Sequence, residues 1–365
     1  MNERNTNTCR RVEAERPSIS VIVPVYNGGE KFRQCLSSLM KLDPPPAEII
    51  VVADGDTDGS SQLAAEVGLR VVKFQSPGGP ARARNLGARH ATGTILFFID
   101  ADVTVPQDAI RLVATAFAQA PEAAAVFGSY DDEPGERNFL SQYRNLLHHY
   151  VHQQGLEEAS TFWGACGAIR REVFMTIGGF DETYRHPSVE DIELGYRLKR
   201  AGHTIRLCKS IQIKHWKRWE VRSMLKADFF YRALPWTALI LQHRRLANDL
   251  NLRVSERLSV ALAYGLLVTL AVSAWRPIVI TAAGVFAVAL LALNAGLYGF
   301  LRRKRGLGFT VLAVPWHWLY FLYGGLAFAV GIAGQLLGHD TAPRRRPQSL
   351  HVSGVTWGTR SPADE

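Results

Sequence analysis

Cysteine is scarce in this chain and does not cluster. The 365 residues include four cysteines, which are Cys9, Cys35, Cys166 and Cys208. No pair of them has a CxxC spacing, and no histidine pattern accompanies them. This excludes a disulfide scaffold and argues against a structural zinc site, so we expect the folded part to work in a reducing compartment.

The first residues also lack the apolar stretch of a signal peptide, and we predict that 1–17 form a polar N-terminal tail. Hydrophobic residues make up 47% of the chain and charged residues 21%, which excludes a disordered protein. The net charge of +9 suits nucleic acid, anionic lipid or phosphate-bearing substrates, and does not choose among them.

Charged residues are missing from three long apolar runs near the C-terminus, 258–275, 278–301 and 311–337. About 20 apolar residues cross the hydrocarbon core of a bilayer. The sequence therefore predicts a transmembrane region over 258–337 with about three hydrophobic segments. A set of buried helices in a soluble protein is the alternative.

Basic residues flank these runs, most densely at 302–305. Since basic loops stay in the cytoplasm, we expect a multi-pass protein of the cell membrane with a cytoplasmic N-terminal domain. A third full span would place the polar tail 338–365 outside, so the run with Pro315 and His317 either crosses or is re-entrant. The position of the basic residues favours membrane lipids, and not nucleic acid, as partners.

Residues 220–257 mix aromatic and aliphatic side chains with arginine and lysine. This pattern predicts amphipathic helices that lie in the membrane interface. An ordinary amphipathic helix packed on the preceding domain is the alternative.

Short β-branched runs alternate with helical patterns in the first part of the chain. The expected strands are 18–25, 48–53, 70–74 and 94–99. Their continuous apolar character predicts an α/β fold with a mostly parallel central sheet covered on both faces. Polar residues follow three of the strands, at Tyr26-Asn27, at Asp54 and at Asp100-Ala101-Asp102. Because ligands bind at the carboxyl ends of such strands, we expect a site there.

Asp100 and Asp102 are separated by one residue, so in extended backbone their carboxylates face the same way. Two such carboxylates can address one hard divalent cation, Mg²⁺ or Mn²⁺, together with substrate phosphates. An isolated pair of this kind is usually part of an ordinary turn, so the neighbouring motifs decide its meaning.

Those motifs occur in a specific order, although each one alone is weak. In chain order they are Pro24-Val25-Tyr26-Asn27, Asp54-Gly55 with Asp58, Ala83-Arg84-Asn85-Leu86-Gly87, Phe98-Ile99-Asp100-Ala101-Asp102, Gly178-Gly179-Phe180-Asp181-Glu182 and Glu190-Asp191. In this order residues 18–219 resemble the family 2 glycosyltransferases. The resemblance implies a GT-A fold, a nucleotide-diphosphate sugar donor and inversion at the anomeric carbon.

The resemblance also implies roles for individual residues. Asp54 would bind the base of the nucleotide near the loop formed by Pro24, Tyr26 and Asn27. Arg84 would lie beside the nucleotide, and Asp100 and Asp102 would hold ribose, metal and diphosphate. Asp191, next to Glu190, would be the general base, and His215 would give a further metal or phosphate contact, although a lone histidine is more often structural.

We expect the acceptor pocket to be shaped by Trp163, Gly164 and the loop with Gly179, Phe180 and Asp181. A hydroxyl acceptor needs a base such as Asp191, whereas a phosphate acceptor does not. This favours transfer to a hydroxyl of a lipid-linked or membrane-associated acceptor of the cell envelope.

The chain departs from the family pattern at two donor positions, Ala53 and Asp56, where the family often has an acid and a serine. The QxxRW signature of processive members is missing, so we expect the transfer of one sugar. Three alternatives remain: a polyprenyl-phosphate glycosyltransferase, a nucleotidyltransferase, and an inactive membrane-anchored protein that binds sugar nucleotides. The intact acidic pairs argue against the last, and the poor phosphate loop at 28–31 argues against the second.

Overall fold

The computed structural model describes residues 17–243 and 248–337. The predicted polar tails, apart from Pro17, lie outside the described residues. The described residues form one mixed sheet with helices on both faces, followed by long apolar helices.

Eight strands form the sheet, in the order β3-β2-β1-β4-β7-β6-β8-β5. They are β1 (Ile19–Val25), β2 (Glu48–Asp54), β3 (Arg70–Phe74), β4 (Ile95–Ile99), β5 (Val103–Thr104), β6 (Ala123–Tyr130), β7 (Cys166–Arg170) and β8 (Thr204–His215).

The sheet is mixed, so the prediction of a mostly parallel sheet is wrong. β1 pairs in parallel with β2 and β4, and β2 with β3, as the alternating pattern indicates. β7, however, runs antiparallel between β4 and β6, and β5 runs antiparallel to β8. The alternation of strand and helix predicts a parallel direction only for strands that a helix connects. It does not predict the direction of β5, which follows β4 after three residues, or of β7, which follows a loop.

Helices cover both faces of the sheet. Those of the first part are α1 (Gly29–Leu39), α2 (Ser60–Glu66), α3 (Pro80–His90), α4 (Ala109–Gln119), α5 (Phe139–Gln153), α6 (Arg171–Thr176) and α7 (Glu190–Arg200). Along β1, Val21 and Val23 pack against Phe32 of α1 and its neighbours, whereas Ile22 faces the cluster with Phe98 and Leu86 of α3. This is the two-sided burial that continuous apolar strands predict.

The second part begins with a continuous helical stretch. It consists of α8 (Val221–Lys226), a π-helical segment (Ala227–Ala233) and α9 (Leu234–His243). It is followed by α10 (Val254–Ser273), α11 (Ile280–Leu293) and α12 (Ala295–Leu336). A Cβ on Gly331 of α12 would lie 2.6 Å from Cγ2 of Thr237 on α9, so these two helices pack closely.

Two helices, α10 and α12, are long and apolar enough to cross a membrane, where the sequence predicts about three segments. The middle run divides at Asn294, whose amide donates to Ser259 Oγ at 3.0 Å and ends α11. The rest of that run starts α12, which bends at Gly306 (φ 84°) and then contains Pro315. The basic residues 302–305 therefore lie in a helix and not in a loop.

Candidate functional site

Two loops at the carboxyl edge of the sheet are tied together. Asn27, with φ +48°, accepts the N–H of Thr57 at 2.8 Å, and Asp58 accepts the N–H of Gly29 at 2.9 Å. The predicted contact residue Asn27 therefore positions the loop after β2. Its neighbour Tyr26 is 56% exposed, so its ring is free to meet a ligand at this edge.

Asp54 ends β2 and turns inward. Its two carboxylate oxygens accept the N–H groups of Gly78 and Gly79 at 2.8 and 2.7 Å, and the side chain is buried. It thereby fixes the loop that starts α3. Its predicted role in binding the base stays a prediction, because both oxygens are already engaged within the protein.

Arg84 joins the first and second halves of the predicted site. Its guanidinium donates to Asp100 Oδ1 at 2.7 Å and to Glu190 Oε1 at 2.9 Å, and it is buried. Ser188 N–H donates to the other oxygen of Glu190 at 2.8 Å. The end of β4 and the start of α7, 90 residues apart at Asp100 and Glu190, are therefore brought together by one cation.

Asp191 lies beside this bridge. Its carboxylate accepts the N–H of Gly164 at 2.9 Å and that of Ile192 at 2.8 Å. Burial and the neighbouring charge of Glu190 raise the pKa of Asp191 to about 7. A carboxyl with such a pKa can exchange protons near neutral pH, as a general base must. The structure thus distinguishes two roles: Glu190 holds Arg84, and Asp191 has the titration range of a base.

Gly164 is a close-contact position in the same place. A Cβ on it would lie 3.3 Å from Arg84 Cζ and 3.4 Å from Asp191 Cβ. The small residue lets the backbone approach both side chains, so Gly164 shapes the surroundings of Arg84 and Asp191.

Asp102 and His215 form a pair at the end of β8. His215 Nε2 lies 3.6 Å from Asp102 Oδ2, and its ring stacks on Tyr130 with centroids 4.3 Å apart. Burial alone would raise the pKa of Asp102, but the charge and hydrogen bond of His215, with Lys217 and Lys31, hold it well below its usual range. Asp102 is therefore an anion with a neighbouring imidazole.

This pair fits part of a divalent cation site. A carboxylate oxygen and an imidazole nitrogen suit Mn²⁺, and a site with few protein ligands leaves positions for substrate phosphates. Among residues 17–243 and 248–337 no group of three or more His, Cys, Asp or Glu side chains is placed to hold a metal by itself. The remaining ligands would have to come from the bound donor.

An aromatic wall extends from this pair. Trp163 contacts Tyr130, His148 and His152, with ring centroids 4.8, 4.9 and 5.2 Å apart. Burial lowers the pKa of His148 well below its usual range and that of His152 to about 4, so both rings are neutral. Trp163 is among the residues predicted from the sequence, whereas the two histidines and Tyr130 are not. The two histidines are four residues apart on α5, which places them on one face of that helix, and this spacing could have indicated them.

The predicted acceptor loop after α6 is bound to α3 by its own backbone. Asn85 donates to the carbonyl of Phe180 at 2.9 Å and accepts its N–H at 2.8 Å. A Cβ on Gly179 (φ +63°) would meet Asn85 Oδ1 at 2.5 Å. Phe180 is buried among aromatic rings, and Asp181 accepts from Thr183. These residues hold the loop in place, and their predicted contact with an acceptor stays a prediction.

Comparisons with known proteins agree with this arrangement. Residues 20–178 match the family model described as "Glycosyl transferase family 2". The matched residues make up less than half of the chain. The GT-A fold that the resemblance implies stays a prediction, and the sheet that the structure shows is mixed. Residues 147–220, which include Gly164, Asp191 and His215, match a second model described as "N-terminal domain of galactosyltransferase".

Curated relatives are similar over the same part of the chain. A probable glycosyltransferase, YdaM, of Bacillus subtilis is 26% identical over 60% of this chain and 56% of its own length. The validoxylamine A glucosyltransferase of Streptomyces hygroscopicus subsp. limoneus is 27% identical over 60% and 57%. The pre-mycofactocin glycosyltransferase of Mycobacterium tuberculosis is 28% identical over 58% and 46%. The match spans about half the length of these relatives.

Solved structures show a weaker likeness. The mannosyltransferase PcManGT from Pyrobaculum calidifontis, in complex with GDP-Man and Mn²⁺, is 19% identical over 87% of this chain and 88% of its own, with a TM-score of 0.49. GalNAc-T7 with UDP, GalNAc and Mn²⁺ is 17% identical over 57% and 45%, with a TM-score of 0.46. TM-scores of this size are too low to assign a property of these proteins to this chain.

Proposed function

We propose that this chain is an inverting glycosyltransferase that moves one sugar from a nucleotide-diphosphate sugar to a hydroxyl of a lipid-linked or membrane-associated acceptor. The observation that carries the proposal is the bridge from Asp100 through Arg84 to Glu190, which lies directly beside Asp191. It links the strand end expected to hold the donor to the residue expected to activate the acceptor. The match to the family 2 model supports the same reaction class.

The base role of Asp191 supports a hydroxyl acceptor. With a pKa of about 7, the ionised carboxylate can take the proton of an attacking hydroxyl on the face opposite the leaving diphosphate. A polyprenyl phosphate is already ionised and would not need this residue. The in-line attack of a single displacement inverts the anomeric carbon.

Asp102 and His215 would hold a divalent cation, Mg²⁺ or Mn²⁺, with the diphosphate of the donor. Such an ion, when bound, neutralises charge on the leaving diphosphate. The exposed ring of Tyr26 would stack on the base, and Asp100, oriented by Arg84, would face the ribose. Trp163 would offer an aromatic surface to the acceptor.

Membrane attachment is part of the proposal. Most of the exposed large hydrophobic side chains lie on α10, α11 and α12, which in water would be an unfavourable surface. The basic cluster at 302–305 contacts the catalytic domain, since Arg305 donates to Gln142 at 2.7 Å and Lys304 pairs with Asp132. The cluster and the domain are therefore on the same side, which supports a cytoplasmic catalytic domain under the positive-inside rule.

A binding screen tests the donor. The purified full chain in detergent is titrated with UDP-, GDP- and dTDP-sugars, with Mn²⁺ and with EDTA. We expect one nucleotide to bind, and binding to weaken with EDTA and in Asp102→Asn. Arg111→Gln, which alters an exposed ion pair on α4, is the control. If no sugar nucleotide binds under any condition, the proposed function is wrong.

A turnover assay tests the acceptor and the attachment. Membranes or lipid extracts serve as the acceptor source, and product configuration is read by NMR. Release of nucleoside diphosphate that depends on lipid supports transfer, whereas binding without release would favour the inactive alternative. Retention of sugar configuration would contradict inversion. Recovery of the protein in the soluble fraction after an alkaline wash would contradict membrane spanning.

A further inference from the structure

Asp228 is a buried carboxylate that joins three parts of the fold. It is 3% exposed and receives Arg144 Nη2 at 2.8 Å, Arg232 Nη1 at 2.8 Å and the hydroxyl of Tyr323 at 2.6 Å. Arg144 belongs to α5, Asp228 and Arg232 to the π-helical segment, and Tyr323 to the apolar helix α12. Charge-assisted hydrogen bonds of this kind fix side-chain geometry strongly.

Arg232 contacts both Asp228 and Trp219, and so lies between this cluster and the segment that follows His215. Its guanidinium lies 5.4 Å from the ring centroid of Trp219, and Lys217 Nζ lies 4.6 Å from the same centroid. Lys217 follows Trp216, whose backbone N–H donates to the carbonyl of Asp102 at 2.9 Å. Both cations therefore lie against the ring of Trp219, and Lys217 follows a residue that is bound to Asp102.

The electrostatics agree with this placement. The charge of Lys217 acts on Asp102, and the charges of Asp102, Arg232 and Asp100 act on the amine of Lys217. Arg232, unlike the buried Arg84, has a side chain that is 39% exposed and can meet a ligand.

A donor diphosphate would need such a cation. Arg84, which the sequence places beside the nucleotide, is buried and engaged by Asp100 and Glu190. It is therefore a poor candidate for direct contact with phosphate. Arg232 and Lys217, which share the ring of Trp219, carry donors that phosphate oxygens could accept.

We propose that Tyr323 is a positioning residue for the donor: through Asp228 it fixes Arg232 where the donor diphosphate binds, so that the apolar helix α12 forms part of the donor site. This rests on the proposed use of a nucleotide-diphosphate donor. Arg232 contacts the diphosphate, and Tyr323 and Asp228 act only through it. The π-helical form of the segment fits such a role. Such turns are rare in proteins, and those that occur often lie at functional sites.

The test compares nucleoside diphosphate with nucleoside monophosphate binding to the full chain in detergent with Mn²⁺. UDP and GDP, with UMP and GMP, are the probes. We expect Arg232→Gln to weaken diphosphate binding about 10–100-fold and to leave monophosphate binding within about twofold, because one charged contact to the second phosphate is lost. Arg232→Lys should recover part of the loss.

Tyr323→Phe should weaken diphosphate binding about 3–10-fold and spare the monophosphate. The matched control is Tyr320→Phe, one turn earlier on α12, whose hydroxyl is not among the three donors to Asp228. In the Arg232→Gln background, Tyr323→Phe should have no further effect, because coupled residues are not additive. Thermal unfolding of each variant confirms that the protein is folded.

Three results would overturn the inference: equal losses for diphosphate and monophosphate, a Tyr323→Phe effect equal to that of Tyr320→Phe, or full additivity with Arg232→Gln. These differ from failure of the proposed function, in which the wild-type chain binds no nucleoside diphosphate. That result would remove the inference as well.

Discussion

Replacing Asp191 by asparagine tests the proposed chemistry most directly. The substitution keeps the size of the side chain and removes its charge and basicity. A positioned general base contributes about 10²–10⁴-fold to a rate, so we expect turnover to fall by that factor. Donor binding should be nearly unchanged, because Asp100 and Asp102 lie on other elements.

The pH profile gives the sharper test. Because burial and Glu190 raise the pKa of Asp191 to about 7, wild-type kcat/KM should fall about tenfold per pH unit below pH 7 and level off above it. Asp191→Asn should lose this limb. The assay is release of nucleoside diphosphate from the donor found in the binding screen, with a lipid extract as acceptor source, between pH 5 and 9.

Stability should change with pH in the opposite sense. A carboxyl whose pKa is raised by folding contributes stability that is fully present below its unfolded pKa, near 4, and is lost as pH rises through about 7. The loss is on the order of a few kcal/mol. Asp191→Asn should unfold with a weaker pH dependence, although one of the N–H groups of Gly164 and Ile192 loses its acceptor, at about 1–3 kcal/mol.

Unchanged turnover in Asp191→Asn, or an acidic limb that persists, would refute the role of this residue as the base. Asp108→Asn, at a partly exposed residue that directly precedes α4 and makes no side-chain capping hydrogen bond, is the control and should behave as wild type. If turnover of both variants fell equally, the loss would come from handling and not from the base.

Three further changes test the framework around the base. Gly164→Ala would place a Cβ 3.3 Å from Arg84 Cζ and 3.4 Å from Asp191 Cβ, and we expect turnover to fall about tenfold or more with the donor affinity kept. Arg84→Met leaves the buried Glu190 without its cation, so unfolding should show a loss of about 3–5 kcal/mol, and an unchanged Tm would contradict the bridge. Asp54→Asn removes an acceptor from the loop before α3, and chemical denaturation should show a loss of about 1–3 kcal/mol.

The placement of acidic residues at strand ends could be predicted from the sequence. β1 to β4 lie where β-branched runs indicate them, and β3 has the predicted bounds. β6 (Ala123–Tyr130) was missed, because its alanine-rich start lacks the β-branched residues typical of strands.

Local elements and the chemical types at their ends follow from the sequence, since the periodicity of apolar residues depends on neighbours a few positions apart. The antiparallel entry of β7, the inward turn of Asp54, and the pairing of Arg84 with Asp100 and Glu190 depend on how the elements pack in the folded chain. Such contacts join residues that are 16 to 106 positions apart, and a buried charge pairs with whichever opposite charge the packed elements bring within reach. The spacing of residues along the chain does not show which distant residues will meet in the folded protein.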